Sequence, residues 1–456
     1  MSKISRRHFL LRAGAVGLGF TGLASFVRAH PSDITGTIAG ANGFGPLKPD
    51  PQSVLDLPES FSYRVISRWG DRMDDGFLVP HRPDGMATFP GPENRTILVR
   101  NHEVNPDAPV EEGPFGPENR MLPQIPSDLF FDQGKDGKPA LGGTTTVLYD
   151  THNQAVKRQF LSLTGTLRNC AGGPTPWNSW ISCEESVQKA DGRFAQDHGY
   201  CFEVPATSLA EIAQPVPLKS LGRFNHEAVA VDPGSGILYL TEDRHDGLLY
   251  RFLPREPGDL QKGGTLQALK IRGEAQVDTR NWEENYLTPG EAISVEWIDL
   301  ENIQSPEDNL RHRGFQAGAA RFARGEGMWY GDGAVYFACT NGGRKRKGQI
   351  WRYTPSKAEE TQDENGTPGH LKLFVEPNDG KVIENADNLT VSPWGDLIVC
   401  EDGSGDQYLV GVTPEGGIYK FGRNAVNNSE FAGATFSPDG TTLFVNIQHA
   451  GLTLAI

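Results

Sequence analysis

The sequence predicts an all-β fold of the β-propeller class, with six blades and irregular insertions. The first observation is a repeat, in which a polar or acidic residue precedes a short apolar strand, a Pro/Gly turn and a second apolar strand. The second is composition, because 54 glycines and 32 prolines with 37% hydrophobic residues suit many short strands joined by tight turns. The third is the enrichment of β-branched and aromatic residues between these breaks, which favours strands.

The repeat occurs six times along the chain. Its copies begin at Asp84, Cys170, His226, Glu326, Ala386 and Phe431. Longer segments near residues 104–140 and 255–315 interrupt the spacing, and we expect them to be insertions between or within blades. Because propellers of this size close into one unit, residues 30–456 are predicted to form a single domain.

Aligning the copies on their turn proline, or on Asp332 in the fourth copy, brings ligand-type residues into register. The position six residues before the turn holds Asp84, Cys170, Glu227, Glu326, Asp387 and Ala432. The inner strands of a propeller converge on one axis, so equivalent positions form a ring around the channel mouth. Four carboxylates and a thiol in such a ring repel one another unless cations neutralise them. The ring therefore predicts a metal site, and a solvated turn is the alternative for any single carboxylate.

More acidic residues follow the second strand of several copies, and we expect them to form an outer ring or a second layer. They are Glu103, Glu184, Glu185, Glu242, Asp243, Glu401 and Asp402. Of these, the predicted metal ligands are Glu184, Glu185, Glu242 and Glu401.

Ligand chemistry narrows the choice of metal. Carboxylate oxygens suit Ca²⁺ and Mn²⁺, whereas the Cys170 thiolate suits a transition metal such as iron or zinc. A mixed cluster accommodates both kinds of ligand. The alternative for Cys170 is a small buried hydrophobe, but Gly172 and Gly173 allow a close approach of the backbone to a metal site.

One basic residue accompanies the ring. Arg324 precedes Glu326 by two residues, so in an extended strand both side chains point to the same side. An arginine beside cations is costly unless it serves an anion, and a phosphate could bridge the guanidinium and the metals. We therefore predict that Arg324 and Glu326 are catalytic and that Arg324 binds the substrate. An ion pair between Arg324 and a ring carboxylate is the alternative.

The N-terminus carries an export signal. Arg6 and Arg7 precede an apolar run from Ala13 to Val27, followed by small residues around Ala29, which is typical of a twin-arginine signal peptide over residues 1–29. The run is too short and too rich in glycine for a membrane helix. The sequence thus predicts a periplasmic or secreted protein, a monomer without a stable membrane anchor, with the twin-arginine translocase as its partner during export.

The net charge bears on nucleic-acid binding, and the cysteine content bears on disulfide pairing. A net charge of -15 argues against a nucleic-acid-binding role. Five cysteines are an odd number for an oxidising compartment, so at least one is unpaired. The pairing of Cys183, Cys201, Cys339 and Cys400 stays open.

Several of these segments resemble the PhoX family of secreted, twin-arginine-exported alkaline phosphatases. The matching segments are Leu57–Val65, Asp84–Ala87, Asn169–Gly173 with Cys183–Glu185, and Arg324–Gly327. The resemblance implies a six-bladed propeller with an iron and calcium cluster on its axis that hydrolyses phosphomonoesters.

The resemblance also implies roles for individual residues, where this sequence matches the motifs of the family. The resemblance implies that Cys170 is an iron-bound thiolate and that Arg324 holds the substrate phosphate. It also implies iron or calcium ligands at Glu227, Glu326, Asp387 and one of Glu184 or Glu185. Two alternatives remain open, namely another calcium-dependent propeller hydrolase (a phosphodiesterase, phytase or lactonase) and a non-catalytic calcium-binding propeller.

Overall fold

The computed structural model describes residues 43–135, 137–190, 192–359, 361 and 363–456. The predicted signal peptide, residues 1–29, lies outside this range. Three strands precede the first repeat: β1 (Leu47–Lys48), β2 (Leu55–Pro58) and β3 (Arg64–Arg68). The first blade contains β4 (Pro83–Pro90), β5 (Thr96–His102), β6 (Gly142–Asp150) and β7 (Ala155–Thr166). The second contains β8 (Asn169–Pro174), β9 (Ser179–Glu184) and β10 (Cys201–Pro205).

The third and fourth blades join at their outer edges into one sheet. The third contains β11 (His226–Val231), β12 (Leu238–Glu242), β13 (Gly247–Pro254), β14 (Gly264–Ile271) and the added strand β15 (Ala292–Asp299). A helix and a short strand follow, α1 (Leu310–Gln316) and β16 (Arg321–Phe322). The fourth contains β17 (Gly325–Gly331), β18 (Ala334–Cys339), β19 (Gln349–Thr354) and β20 (His370–Val375). Pairing of β15 with β20 makes the connection.

The last two blades incorporate the N-terminal strands. The fifth contains β21 (Ala386–Val391), β22 (Leu397–Glu401), β23 (Tyr408–Val412) and β24 (Ile418–Asn424), with β2 and β1 added outside β24. The sixth contains β25 (Phe431–Phe436), β26 (Leu443–Ile447), β27 (Leu452–Ala455) and then β3. Because β3 comes from the beginning of the domain and β27 from its end, their antiparallel pairing closes the ring.

The six inner strands contact one another in the cyclic order β4, β8, β11, β17, β21, β25 and back to β4. Apolar side chains fill the layers between neighbouring sheets, with residues such as Trp180 and Trp351 fully buried. The prediction of an all-β propeller is confirmed by this architecture. The segment 104–140 holds 3₁₀ turns at Val110–Glu112, Pro117–Asn119, Leu122–Gln124 and Ser127–Leu129; others lie at Pro92–Asn94, Lys219–Leu221, Leu260–Lys262 and Glu364–Gly366.

Each inner strand carries a β-bulge close to its first residue. The register with the second strand shifts between Pro83 and Met86 in the first blade and between Asn169 and Gly172 in the second. Equivalent shifts occur in the other four blades. A bulge adds a residue to one strand and re-aims the side chains around it. The repeated bulge therefore sets the direction of the side chains at one end of the ring.

No helix in the described part of the chain is both long and apolar enough to span a membrane. All five cysteines are buried and none forms a disulfide.

Candidate metal and phosphate site

A polar cavity of about 220 Å³ lies where the inner strands begin. Its carboxylates are Asp84, Glu103, Glu185, Glu227, Asp243, Glu326, Asp387, Asp402 and Glu430. Its cationic side chains are Arg82, Arg168 and Arg324, and Cys170 also lines it. Nine carboxylates and three guanidinium groups leave a large excess of negative charge when all are ionised.

The β-bulges direct the side chains of the predicted ring residues into this cavity. Asp84, Cys170, Glu227, Glu326 and Asp387 all line it, and each of the five lies within the bulge of its inner strand. The structure thus brings together the five ligand-type residues that the turn alignment selected.

The sixth blade carries no ligand at the ring position. Ala432 lines the cavity there, as the alignment predicted, although the β-bulge of this blade lies one residue later, between Ala432 and Thr435. A Cβ added to the next residue, Gly433, would lie 2.3 Å from the carbonyl oxygen of Asp84, and φ there is +65°, so glycine alone suits this approach. The sequence alignment missed Glu430, which supplies the carboxylate of this blade instead. Glu430 stands two residues before Ala432, the same offset as that of Arg324 from Glu326.

A second layer of side chains comes from the residue that follows the second strand in five of the six blades. Glu103, Glu185, Asp243, Asp402 and Gln448 occupy this position and line the cavity, whereas its counterpart in the fourth blade, Thr340, does not. The backbone N–H of each of the five donates to the carbonyl oxygen of the residue two places before the ring position, for example Glu185 N to Arg168 O at 2.9 Å and Asp402 N to Asn385 O at 2.9 Å. These hydrogen bonds fix the layer against the ring.

Three predicted ligands are not brought to the cavity. Glu184, Glu242 and Glu401 immediately precede the cavity-lining residues, and because successive side chains alternate along a strand they point to the other side. Each is buried with partners of its own. Glu184 contacts His198 Nδ1 at 2.6 Å, Glu242 accepts from Tyr250 Oη at 2.6 Å, and Glu401 contacts Lys420 Nζ at 2.8 Å.

Arg324 forms the ion pairs that the sequence left as an alternative. Its Nε and Nη2 donate to the two carboxylate oxygens of Asp243 at 2.8 and 2.9 Å, and Nη2 also lies 2.7 Å from Glu326 Oε1. Arg324 has φ of +50° and precedes β17, so it reaches the cavity through a left-handed turn and not through strand alternation. Its guanidinium is partly exposed.

Two more arginines occupy the same place in other blades. Arg82 and Arg168 also stand two residues before the ring position, with φ of +49° and +45°. Arg168 pairs with Glu103 at 2.5 Å and with Glu185. Sequence analysis selected only Arg324, although the same two-residue offset identifies Arg82 and Arg168.

Burial and mutual repulsion hold protons on the ring. Burial raises the pKa of Asp84, Glu227 and Glu326 well above the usual range, and neighbouring carboxylates raise each further. Burial and the charge of Asp402 raise the pKa of Asp387 to about 7. Burial also raises the pKa of the Cys170 thiol. Cations bound among these groups would remove the repulsion and displace the protons.

The ligand atoms fall into three overlapping groups, in each of which they lie within 4.8 Å of one another. The groups are Cys170, Glu185 and Glu227; Glu227, Glu326 and Asp387; and Asp387, Asp402 and Glu430. Glu227 and Asp387 belong to two groups each, so the potential metal positions follow one another along an arc. The donor set of these groups, six carboxylates with one thiol, fits hard cations together with one transition metal.

The fold and the cavity define a β-propeller with an acidic, metal-binding type of site on its axis. A family model described as "Alkaline phosphatase PhoX" matches residues 42–451. This chain belongs to the PhoX family of alkaline phosphatases, which are metal-dependent phosphoric monoester hydrolases. The family and the phosphatase activity predicted from the sequence are confirmed.

The fold is shared with a solved structure of a PhoX protein. Pseudomonas fluorescens PhoX in complex with vanadate, a transition state analogue, has a TM-score of 0.63 at 19% identity, over 88% of this chain and 96% of that one. A gluconolactonase from Xanthomonas campestris has a TM-score of 0.35 at 12% identity, over 90% and 97% of the two chains. No curated protein matches the sequence.

Proposed function

We propose that this protein is an exported phosphomonoesterase that uses iron and calcium, held in the axial cavity, to hydrolyse small phosphate esters. The observation that carries this proposal is the arc of three ligand groups with its excess of buried carboxylates. The predicted signal peptide supports export into the periplasm or beyond the cell by the twin-arginine pathway. We further propose that the protein acts as a monomer.

The group at one end of the arc contains the Cys170 thiolate, which is a suitable ligand for iron. In the proposal Cys170, with Glu185 and Glu227, holds iron, while the other two groups hold calcium through carboxylates alone. The sequence left open whether Glu184 or Glu185 is a metal ligand. We assign Glu185, because Glu185 lines the cavity and Glu184 does not. When bound, the metals would polarise the phosphoryl oxygens and neutralise the charge that develops in the transition state.

The residues of the chain orient the substrate. Asp243 and Glu326 fix the Arg324 guanidinium through Nε and Nη2, and Nη1 has no hydrogen-bond partner in the described structure. A phosphate oxygen could therefore accept from Nη1 without breaking either ion pair. Arg168, held by Glu103 and Glu185, presents a second guanidinium to the same cavity. Glu326 acts as a catalytic residue by holding Arg324 and binding metal.

The test combines elemental analysis with turnover of p-nitrophenyl phosphate on one sample of exported protein. Iron and calcium in the protein, with turnover lost on chelation and restored by calcium, support the proposal. Arg324→Ala should lower kcat/KM by roughly 100-fold with metal content unchanged. Arg321→Ala is the matched control, because Arg321 forms a partly exposed ion pair with Asp278 and does not line the cavity.

Other outcomes separate the alternatives. Metal without phosphomonoester turnover, but with turnover of a phosphodiester, phytate or a lactone, would replace the proposed substrate. Metal without any turnover would indicate a binding propeller. A folded protein that takes up neither iron nor calcium would reject the proposal.

A further inference from the structure

A second group of ligand-type side chains lies outside the axial cavity. Cys183 on β9 and Cys201 on β10 are register partners, with their Sγ atoms 3.5 Å apart. His226, the first residue of β11, places Nδ1 3.3 Å from the Cys201 Sγ. All three side chains are fully buried, and their ligand atoms lie within 4.8 Å of one another. The group therefore joins the second blade to the third.

The histidine has the orientation of a ligand. Its Nε2 lies 3.1 Å from the carbonyl oxygen of Gly222, which can only accept, so Nε2 carries the hydrogen and Nδ1 presents its lone pair to the cysteines. The ring is also stacked on Phe224 at a centroid distance of 3.6 Å. A hydrogen bond from the second ring nitrogen to a backbone carbonyl is the usual support of a metal-bound histidine.

We propose that Cys183, Cys201 and His226 bind a thiophilic d¹⁰ cation, with Zn²⁺ favoured over Cu⁺. Zinc–ligand bonds of about 2.3 Å to sulfur and about 2.1 Å to nitrogen in a tetrahedron separate the sulfurs by about 3.8 Å and sulfur from nitrogen by about 3.6 Å. The structure has 3.5 and 3.3 Å, so small side-chain rotations suffice.

Charge decides between the two ions. On binding, the cation replaces the two thiol protons, which leave to solvent, and both sulfurs become thiolates. Two thiolates and a neutral imidazole make a Zn²⁺ site neutral, whereas with Cu⁺ the same ligands carry one net negative charge. A net charge in a fully buried site is costly. A backbone carbonyl or one water would complete the coordination of Zn²⁺, because the group contains no fourth acidic, cysteine or histidine ligand among the described residues.

The site is independent of the proposed phosphatase mechanism, but it adjoins the axial ring. The Cys170 Sγ lies 3.4 Å from the carbonyl oxygen of His226, and Glu227 follows His226 in the strand. A cation here would fix the two blades that carry Cys170 and Glu227.

Elemental analysis of zinc, copper, iron and calcium in the full-length protein and its variants tests the proposal. We expect one equivalent of zinc that is lost in Cys201→Ser and retained in Cys400→Ser, a matched control because Cys400 is buried among apolar side chains. Iron and calcium should be unchanged in both. Equal zinc in wild type and Cys201→Ser, or no thiophilic metal in the wild type after incubation with Zn²⁺, would overturn the proposal.

Two further measurements keep the test valid if the Cys201→Ser variant fails to fold. Cobalt-substituted protein should show thiolate-to-cobalt charge-transfer absorption that Zn²⁺ abolishes, and the Cys170→Ser variant should retain it. Alkylation after denaturation with a chelator and without a reductant should modify all five cysteines. Modification of only three would show that Cys183 and Cys201 form a disulfide, and would overturn the metal site.

Discussion

Adjacent acidic residues at the end of the second strand of a blade point to opposite sides of the strand and so lie in different environments. Glu185, Asp243 and Asp402 face the axial cavity, whereas the residues just before them, Glu184, Glu242 and Glu401, face the sheet layers. Both sets are buried or nearly so and have the same chemistry. They differ in what neutralises them.

The protein itself compensates two of the outward residues, Glu184 and Glu401, whereas the third, Glu242, keeps one buried carboxylate oxygen without a hydrogen bond among the described residues. Glu184 contacts His198 and accepts from three backbone N–H groups, those of Leu167, Gly199 and Tyr200. Glu401 has an equivalent set, with Lys420 and the N–H groups of Glu384 and Tyr408.

The inward set belongs to a cavity in which nine carboxylates share three arginines. The comparison teaches that the chain supplies counter-charges and backbone donors to Glu184 and Glu401 but leaves the cavity carboxylates in excess, as the proposed metal site requires. Four predictions test this distinction.

The largest effect is expected for Glu227→Gln. Glu227 belongs to two ligand groups, so its loss weakens two metal positions, and we expect phosphatase turnover to fall on the order of 1,000-fold with a loss of bound metal. Elemental analysis and turnover of p-nitrophenyl phosphate measure both. Glu242→Gln is the control, because Glu242 is equally buried but does not line the cavity. Equal metal loss in the two variants would break the comparison.

Glu184→Gln should act on stability alone. The change leaves the buried His198 with Asp132 as its only carboxylate partner, and breaking such a pair costs about 3 kcal/mol of unfolding free energy. Denaturant unfolding at a fixed calcium concentration measures the loss, and metal content should match the wild type. A variant of wild-type stability that has lost metal would place Glu184 among the ligands after all.

The same buried pair predicts a dependence of stability on alkaline pH. Burial lowers the pKa of His198, but Glu184 and Asp132 outweigh it and raise the pKa to about 9. A raised pKa stabilises the fold fully below the unfolded value of about 6.5, and this contribution disappears as the pH rises through 9. We expect a loss of about 3 kcal/mol between pH 6.5 and 10. His198→Gln should flatten this part of the pH profile, and an unchanged profile would contradict the assignment.

The smallest effect concerns metal affinity against pH. Because burial and Asp402 raise the pKa of Asp387 to about 7, a proton competes with the cation below that pH. Calcium affinity should rise about tenfold per pH unit up to pH 7 and less steeply above it. Calorimetry in two buffers of different ionisation enthalpy should detect the released protons. Affinity that is flat between pH 6 and 8 would show that the inward carboxylates are already ionised.

The fold and the ring could be predicted from the sequence because both depend on local signals. Turn prolines and alternating apolar residues mark the strands, and a constant distance from turn to ring selects Asp84, Cys170, Glu227, Glu326 and Asp387. The number of residues between the turn and the ring position is the same in these blades because a short strand ending in a tight turn can adopt few other conformations. Arg324 was selected from an assumed strand alternation with Glu326, but it reaches the cavity through a left-handed turn before the strand.

Only the tertiary structure decided which carboxylates face the axis. The assignment of Glu184 and Glu185 depends on the phase of the second strand relative to the ring, and strand pairing sets that phase. In the sixth blade Ala432 supplies no ligand at the ring position, and Glu430, two residues earlier, lines the cavity. The meeting of Cys183, Cys201 and His226 depends on two blades packing together. The sequence alone determines the arrangement of residues within one hairpin. Strand register and contacts between blades bring together residues that are far apart in the chain. The energies of these contacts come from packing, which no local sequence pattern encodes.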